Sequence, residues 1–283
     1  MKANIRYAYF CHQGLHRPNN EDNYWCCGAS LPAIHDGDDQ IRFGEISSSD
    51  FAVLAVLDGM GGESCGEMAS FIGAQRIGEL AEAESSLLRE DPQAFLQQAA
   101  DSANKAVLDY QEHHRISTMG STLAAAAFGE QELCLGNLGD SRIYQFKEDT
   151  LQQLSTDHVF GRSMFGKAPL TQYLGLPEEE MVLQPSFVKL PYLGKFDLLL
   201  CSDGLSDMVS PAQITEILKQ EHPLEEKTAA LLQAALNGGG RDNVTAILIH
   251  VSAKDISVDT HSSDTDTEKS SFLGWLSRLF KGS

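Results

Sequence analysis

The chain has 283 residues, 42% of them hydrophobic, and a formal net charge of −19 at pH 7. That length admits one large domain or two small ones, and the acidity argues against the basic face that nucleic-acid binding needs. Residues 1–6 lack the apolar stretch of a secretory leader, and no run approaches the ~20 apolar residues of a membrane-crossing helix, so a cytoplasmic protein is expected.

In chain order, residues 5–10 predict a first strand. Arg17-Pro18-Asn19-Asn20-Glu21-Asp22 then sets an arginine beside two carboxylates. Residues 28–50 read as a loop, with an Asp36-Gly37-Asp38-Asp39 run and three consecutive serines at 47–49. The nearly continuous apolar run 51–57 predicts a strand covered on both faces, and it leads into Asp58-Gly59. From Gly66, the positions Met68, Phe71, Ile72 and Leu80 predict a helix. A second helix starts at Asp91-Pro92, an N-cap residue followed by the residue best suited to the first helical position. Phe95, Ala99, Ala103, Val107 and Tyr110 mark its buried face.

Short strands follow at 123–128, 133–137 and 143–146, the first two joined as a hairpin through Gly129-Glu130-Gln131. Gly139-Asp140-Ser141-Arg142 lies between the second and third. A strand over 197–202 delivers Asp203-Gly204. Ser210-Pro211-Ala212-Gln213 opens a helix with a capping box, and a further helix over 224–236 stops at Asn237-Gly238. Arg241-Asp242-Asn243 precedes the last strand, 244–251. The six cysteines have neither metal-site nor secreted-scaffold spacing, so they read as reduced thiols. Cys134 and Cys201 read as core residues, and Cys65 as inert.

Asp58, Asp140, Asp203 and Asp242 thus stand at the ends of four apolar strands far apart in sequence. One Asp-Gly step is often only a turn. Four such ends suggest one acidic focus, and a buried carboxylate must be paired or must hold a cation. Carboxylates without histidine or cysteine at ligand spacing favour a hard cation such as Mg2+ or Mn2+. Arg17 has the planar fork that grips phosphate; its plainer role is a salt bridge with Glu21 or Asp22.

With these motifs in order (R-x-x-N-E-D at 17–22, D-G-M-G-G at 58–62, G-S-T at 120–122, G-D-S-R at 139–142, S-D-G-L at 202–205 and R-D-N-V-T at 241–245), the chain resembles the PP2C (PPM) type metal-dependent serine/threonine phosphatases, in their bacterial branch. The resemblance implies an α+β fold, a four-layer αββα sandwich of two antiparallel sheets flanked by helices, over residues 1–252. It implies two or three divalent cations, Mn2+ or Mg2+. Asp58 would bridge two metals, Gly59 would offer its carbonyl, and Asp203 and Asp242 would complete the first metal. Glu21 and Asp22 would hold the second, largely through waters. Asp140, assisted by Asp207, would help hold a third. Arg17 would bind the substrate phosphate.

The implied activity is hydrolysis of phosphoserine and phosphothreonine in proteins by direct attack of a metal-activated water, opposing a cognate Ser/Thr kinase. The alternative is a non-catalytic module that binds phosphoproteins on the same fold. Met60 stands where many eukaryotic relatives carry a proposed general acid, and a thioether cannot donate a proton. Glu63 stands where many bacterial members carry histidine. His158 is expected to be structural, and 160–180 corresponds to a flap beside the active site. Residues 253–270 read as an acidic, Ser/Thr-rich disordered linker, and 271–283 as a short amphipathic helix. That helix is expected to dock on a partner protein, with an anionic membrane less favoured. The protein is expected to be a monomer.

Overall fold

Alternation along the strands sends each strand's two faces into different cores. The computed structural model describes residues 3–46, 50–61, 65–161, 167–177 and 179–253. The expected linker past Ala253, the helix expected over 271–283 and Glu63 lie outside the described residues. One six-stranded sheet has the order β3 (Gly37–Ile46), β1 (Ala3–His12), β12 (Val244–Ala253), β11 (Lys195–Cys201), β8 (Arg142–Lys147), β9 (Thr150–Gln153). The other runs β10 (Ser186–Pro191), β7 (Glu132–Leu138), β6 (Leu123–Phe128), β4 (Ala52–Met60), β2 (Asp22–Cys26), and the short β5 (Gly120–Ser121) pairs with the end of β4. All of these pairings are antiparallel.

Strand β4 shows how the layers form. Leu54 and Val56 enter the core between the sheets, whereas Val53, Ala55 and Leu57 face a second core under helices α1 (Gly66–Ala83), α2 (Ser85–Glu90) and α3 (Pro92–His114). Strand β12 does the same in the other sheet: Ile247, Ile249 and Val251 point inward, while Ala246 and Leu248 meet a third core under α4 (Asp203–Ser206), α5 (Pro211–Lys219) and α6 (Leu224–Asn237). The result is the expected four-layer αββα sandwich. Its central strands, such as β4, β6, β11 and β12, read as nearly continuous apolar runs because both faces are covered.

The predicted caps form. The Asp91 side chain accepts from the Ala94 amide at 3.1 Å, and Ser210 and Gln213 close a reciprocal capping box. The 129–131 hairpin closes with the Gly129 amide donating to the Glu132 carbonyl. Cys134 and Cys201 are buried, and none of the six cysteines is in a disulfide.

One expectation needs correction. Residues 28–50 are not all loop, because β3 pairs with β1 across 37–46. It is an edge strand, and charges on an edge protect it from pairing with other chains; those charges gave the segment its loop-like composition. Helix α1 forms from Gly66 as expected; Met68, Ile72 and Leu80 pack partly buried against the core, while its buried residues include Ile77 and the small Ala69, Ser70, Gly73, Ala74 and Gly78. Small side chains let that helix lie close on the sheet. Among the described residues no helix is long and apolar enough to cross a membrane.

Candidate active site

The antiparallel register brings the acidic residues together. Asp22 opens β2 and Asp58 lies near the end of β4, and the two are direct cross-strand partners. Directly opposed residues have Cβ atoms about 5 Å apart on one face. At that separation two unit charges repel by about 3 kcal/mol at an effective dielectric of about 20. Asp203 caps the end of β11 as the first residue of α4, and Asp242 immediately precedes Asn243 and β12. Because β11 and β12 are antiparallel neighbours, the end of one lies beside the start of the other.

Backbone and side-chain bonds hold the focus in place. Ser202 donates its hydroxyl to Asp22 Oδ2 at 2.8 Å and accepts from the Thr245 amide at 3.0 Å, tying the two sheets together under the carboxylates. The Asp58 amide donates to Thr122 Oγ1 at 3.0 Å, and the Thr122 amide donates back to the Asp58 carbonyl at 2.9 Å. The Asn243 side chain accepts from the Glu21 amide and donates to the carbonyls of Gln13 and Asn19, fixing the 13–21 loop against Asp242.

Electrostatics show a carboxylate excess. Burial pushes Asp22 up to about 7, although the Ser202 bond opposes the shift. Burial, reinforced by Asp22 and Asp203, drives Asp58 well above the ordinary range. Asp203 rises to about 6, again mainly through burial. At Asp242 burial also pushes upward, but the Arg17 and Lys167 contacts outweigh it and the net shift is down. Glu21 is raised by burial and then by neighbouring Glu67, and Asp140 by burial, with Asp207 adding repulsion.

The residues fit a hard cation on two observations. Asp203 Oδ1 is buried without a hydrogen-bond partner. Gly59 packs so tightly against the chain that a Cβ there would lie 2.1 Å from the Gly66 carbonyl oxygen and 2.4 Å from that of Glu21, so only glycine leaves its own backbone open to close approach. Among the described residues, no three carboxylate, imidazole or thiolate groups close on one point at ligand distance. Asp203 and Asp242 instead both pair with the Lys167 ammonium, at 2.9 Å for Asp242.

Arg17 grips Asp242 with two nitrogens, at 2.7 and 2.9 Å, and not Glu21 or Asp22. The arginine is 42% exposed, so one face of its fork stays accessible to solvent and the pair itself adds little stability. Asp140 sits in the turn between β7 and β8. His158 braces that turn by accepting from the Gly139 amide and bonding Ser186 Oγ at 2.8 Å, a structural role. The base of the 160–180 segment is pinned by bridges from Val159 to Leu170 and from Ser121 to Leu174.

Sequence reasoning singled out neither Ser202, Thr122 and Asn243 as positioning residues nor Lys167 as a counter-charge. The first three lie inside the quoted motifs and could have been found there. Lys167 carried no signal.

The Protein phosphatase 2C family pattern matches residues 36–238. Serine/threonine phosphatase stp of Listeria innocua is 31% identical over 210 residues, 70% of this chain and 83% of that protein. Serine/threonine protein phosphatase PstP of Mycobacterium tuberculosis is 31% identical over 258 residues, 87% of this chain and 45% of that protein. The solved catalytic domain of serine threonine protein phosphatase PstP, in complex with two manganese ions, superposes with a TM-score of 0.71 at 30% identity, over 88% of this chain and 99% of that one.

Proposed function

Because the chain belongs to the protein phosphatase 2C family, we propose that it removes phosphate from phosphoserine and phosphothreonine in proteins with the help of Mn2+ or Mg2+, opposing a Ser/Thr kinase. The observation that carries the reading is the cross-strand pair of buried Asp22 and partly exposed Asp58, beside buried Asp203. Two like charges placed face to face in a protein interior are costly unless a cation joins them.

Asp203 and Asp242 would hold the first cation and Glu21 and Asp22 a second, with Asp58 serving both and the Gly59 carbonyl available as a further oxygen donor. Asp140 would contribute to a third. When bound, such cations screen phosphate charge and lower the pKa of water toward neutrality. The chain's own residues do the rest. Ser202 and Thr122 keep the carboxylates in register, and Asn243 sets the loop that carries Arg17. Arg17 turns its exposed face to the phosphate while its other contacts rest on Asp242. Met60 supplies no proton, so the leaving group takes its proton from water or from another donor. The proposal extends to a monomer acting in the cytoplasm.

The test is turnover of a phosphothreonine peptide by chelator-stripped protein, with and without added Mn2+. The reading expects turnover only with the metal. Full turnover after exhaustive EDTA dialysis overturns it.

A further inference from the structure

A cavity of about 340 Å³ opens beside the acidic focus, and the chemistry described so far does not use it. Met60 and Met119 form its base, Leu170 and Tyr173 a wall, and Ser117 and Glu180 its rim. Met60 and Tyr173 close over Gly120: a Cβ there would lie 2.9 Å from the Met60 methyl and 2.7 Å from the Tyr173 ring. The walls are held by backbone and side-chain bonds. Ser121 and Leu174 exchange amide–carbonyl bonds at 3.0 and 2.8 Å, and Gln111 donates to the Met119 carbonyl at 2.6 Å. The space is therefore preformed, mostly apolar, and bordered by few polar groups, as binding pockets are.

Its place relative to the carboxylates is set by strand geometry. Met60 follows Asp58 by two residues in β4. Side chains two apart on a strand share a face, and the backbone advances about 3.3 Å per residue. The cavity base thus begins about 7 Å along the strand from the Asp58 carboxylate, on the same face. An extended peptide has the same period. With its phosphorylated side chain turned to the acidic focus, the side chain two residues away turns to the same face, at the same distance.

Resting on the phosphatase reading above, we propose that this cavity is a substrate subsite for an apolar side chain two residues from the phosphorylated one. Immediate neighbours of the phosphoresidue point away from it. The Glu180 carboxylate at the rim and the net charge of −19 select against an acidic side chain at that position. This makes the subsite a determinant of which phosphoproteins are served, whereas the acidic focus handles any phosphomonoester.

The experiment compares phosphothreonine peptides that carry leucine, glycine or aspartate at one of the two positions on either side, together with N-acetyl-phosphothreonine amide, which has no such residues. Leucine at one of the second positions should raise kcat/KM about tenfold over glycine, the scale of burying one apolar side chain, and aspartate should lower it. Ser117 is exposed, so Ser117→Phe fills the mouth from outside the core. It should abolish the leucine preference and leave turnover of the amide unchanged; Thr118→Phe, on the same exposed rim, serves if the first variant misfolds. A preference at the adjacent positions only, equal rates for all peptides, or a preference that survives in the filled variant overturns the subsite and leaves the phosphatase reading standing. No hydrolysis of any substrate with Mn2+ present overturns both.

Discussion

Two cross-strand pairs in this molecule place a buried aspartate against a partner, and they differ in one respect. In the first sheet Asp197 of β11 faces His250 of β12, and the His250 Nδ1 stands 2.7 Å from its carboxylate. In the second sheet Asp22 faces Asp58, carboxylate to carboxylate. The first pair satisfies itself, and its carboxylate has a hydrogen-bond partner within the fold. The second cannot be satisfied by its own members, and burial forces both carboxyls upward in pKa. A buried acid with its own partner is part of the architecture. A buried acid opposed by another marks a place arranged for something the chain does not itself supply.

Breaking the unsatisfied cluster should have the largest effect. Asp203→Asn should lower kcat for a phosphopeptide by roughly three orders of magnitude, since metal-assisted charge stabilisation is worth several kcal/mol and each 1.36 kcal/mol is tenfold. Circular dichroism should show the fold intact. Wild-type turnover at saturating Mn2+ would count against the assignment. Arg17→Ala should be milder, raising KM about tenfold while kcat stays within about threefold, because a charge-assisted contact to phosphate made equally in ground and transition states affects binding first. A collapse of kcat at constant KM would reassign Arg17 to the transition state.

The comparison also predicts a pH effect in metal-free protein. Asp22 and Asp203 titrate at about 7 and about 6 in the folded chain, above the roughly 3.9 of an unfolded aspartate. Between those values the folded state holds protons that the unfolded state has released, so this cluster's contribution to stability falls as pH rises through that window. Urea melts from pH 4.5 to 8 should show Asp22→Asn gaining on wild type as pH rises. A constant difference would contradict the shift. The smallest effect belongs to the self-satisfied pair: His250→Ala should cost about 1 kcal/mol and leave kcat/KM unchanged, read by the same melts and by peptide turnover.

Most of the acidic focus was legible in the sequence because Asp58, Asp140, Asp203 and Asp242 stand at the ends of apolar runs, and a buried carboxylate delivered at a strand end is costly without a purpose. What could not be read was which carboxylate faces which. The Asp22–Asp58 contact depends on the register of β2 against β4, set by packing of the whole sheet, so the sequence suggested only that Asp22 would hold a metal through water beside Glu21. The ion-pair partner of Arg17 is hidden for a similar reason, since Asp242 is remote in sequence and the local candidates are Glu21 and Asp22. Strand β3 was hidden by its charges, which suit an edge and also suit a loop. The small buried residues of α1 were hidden because they carry little hydrophobic signal, although they allow the closest packing.

The central claim is that the opposed carboxylates exist to hold divalent cations, and calorimetric titration of chelator-stripped protein with Mn2+ tests it most directly. The account predicts at least two ions per chain for wild type and loss of the tightest binding in Asp58→Asn, with His250→Ala binding like wild type. Binding of no ions by the folded wild-type chain, or an Asp58→Asn titration that overlays the wild type, would contradict it.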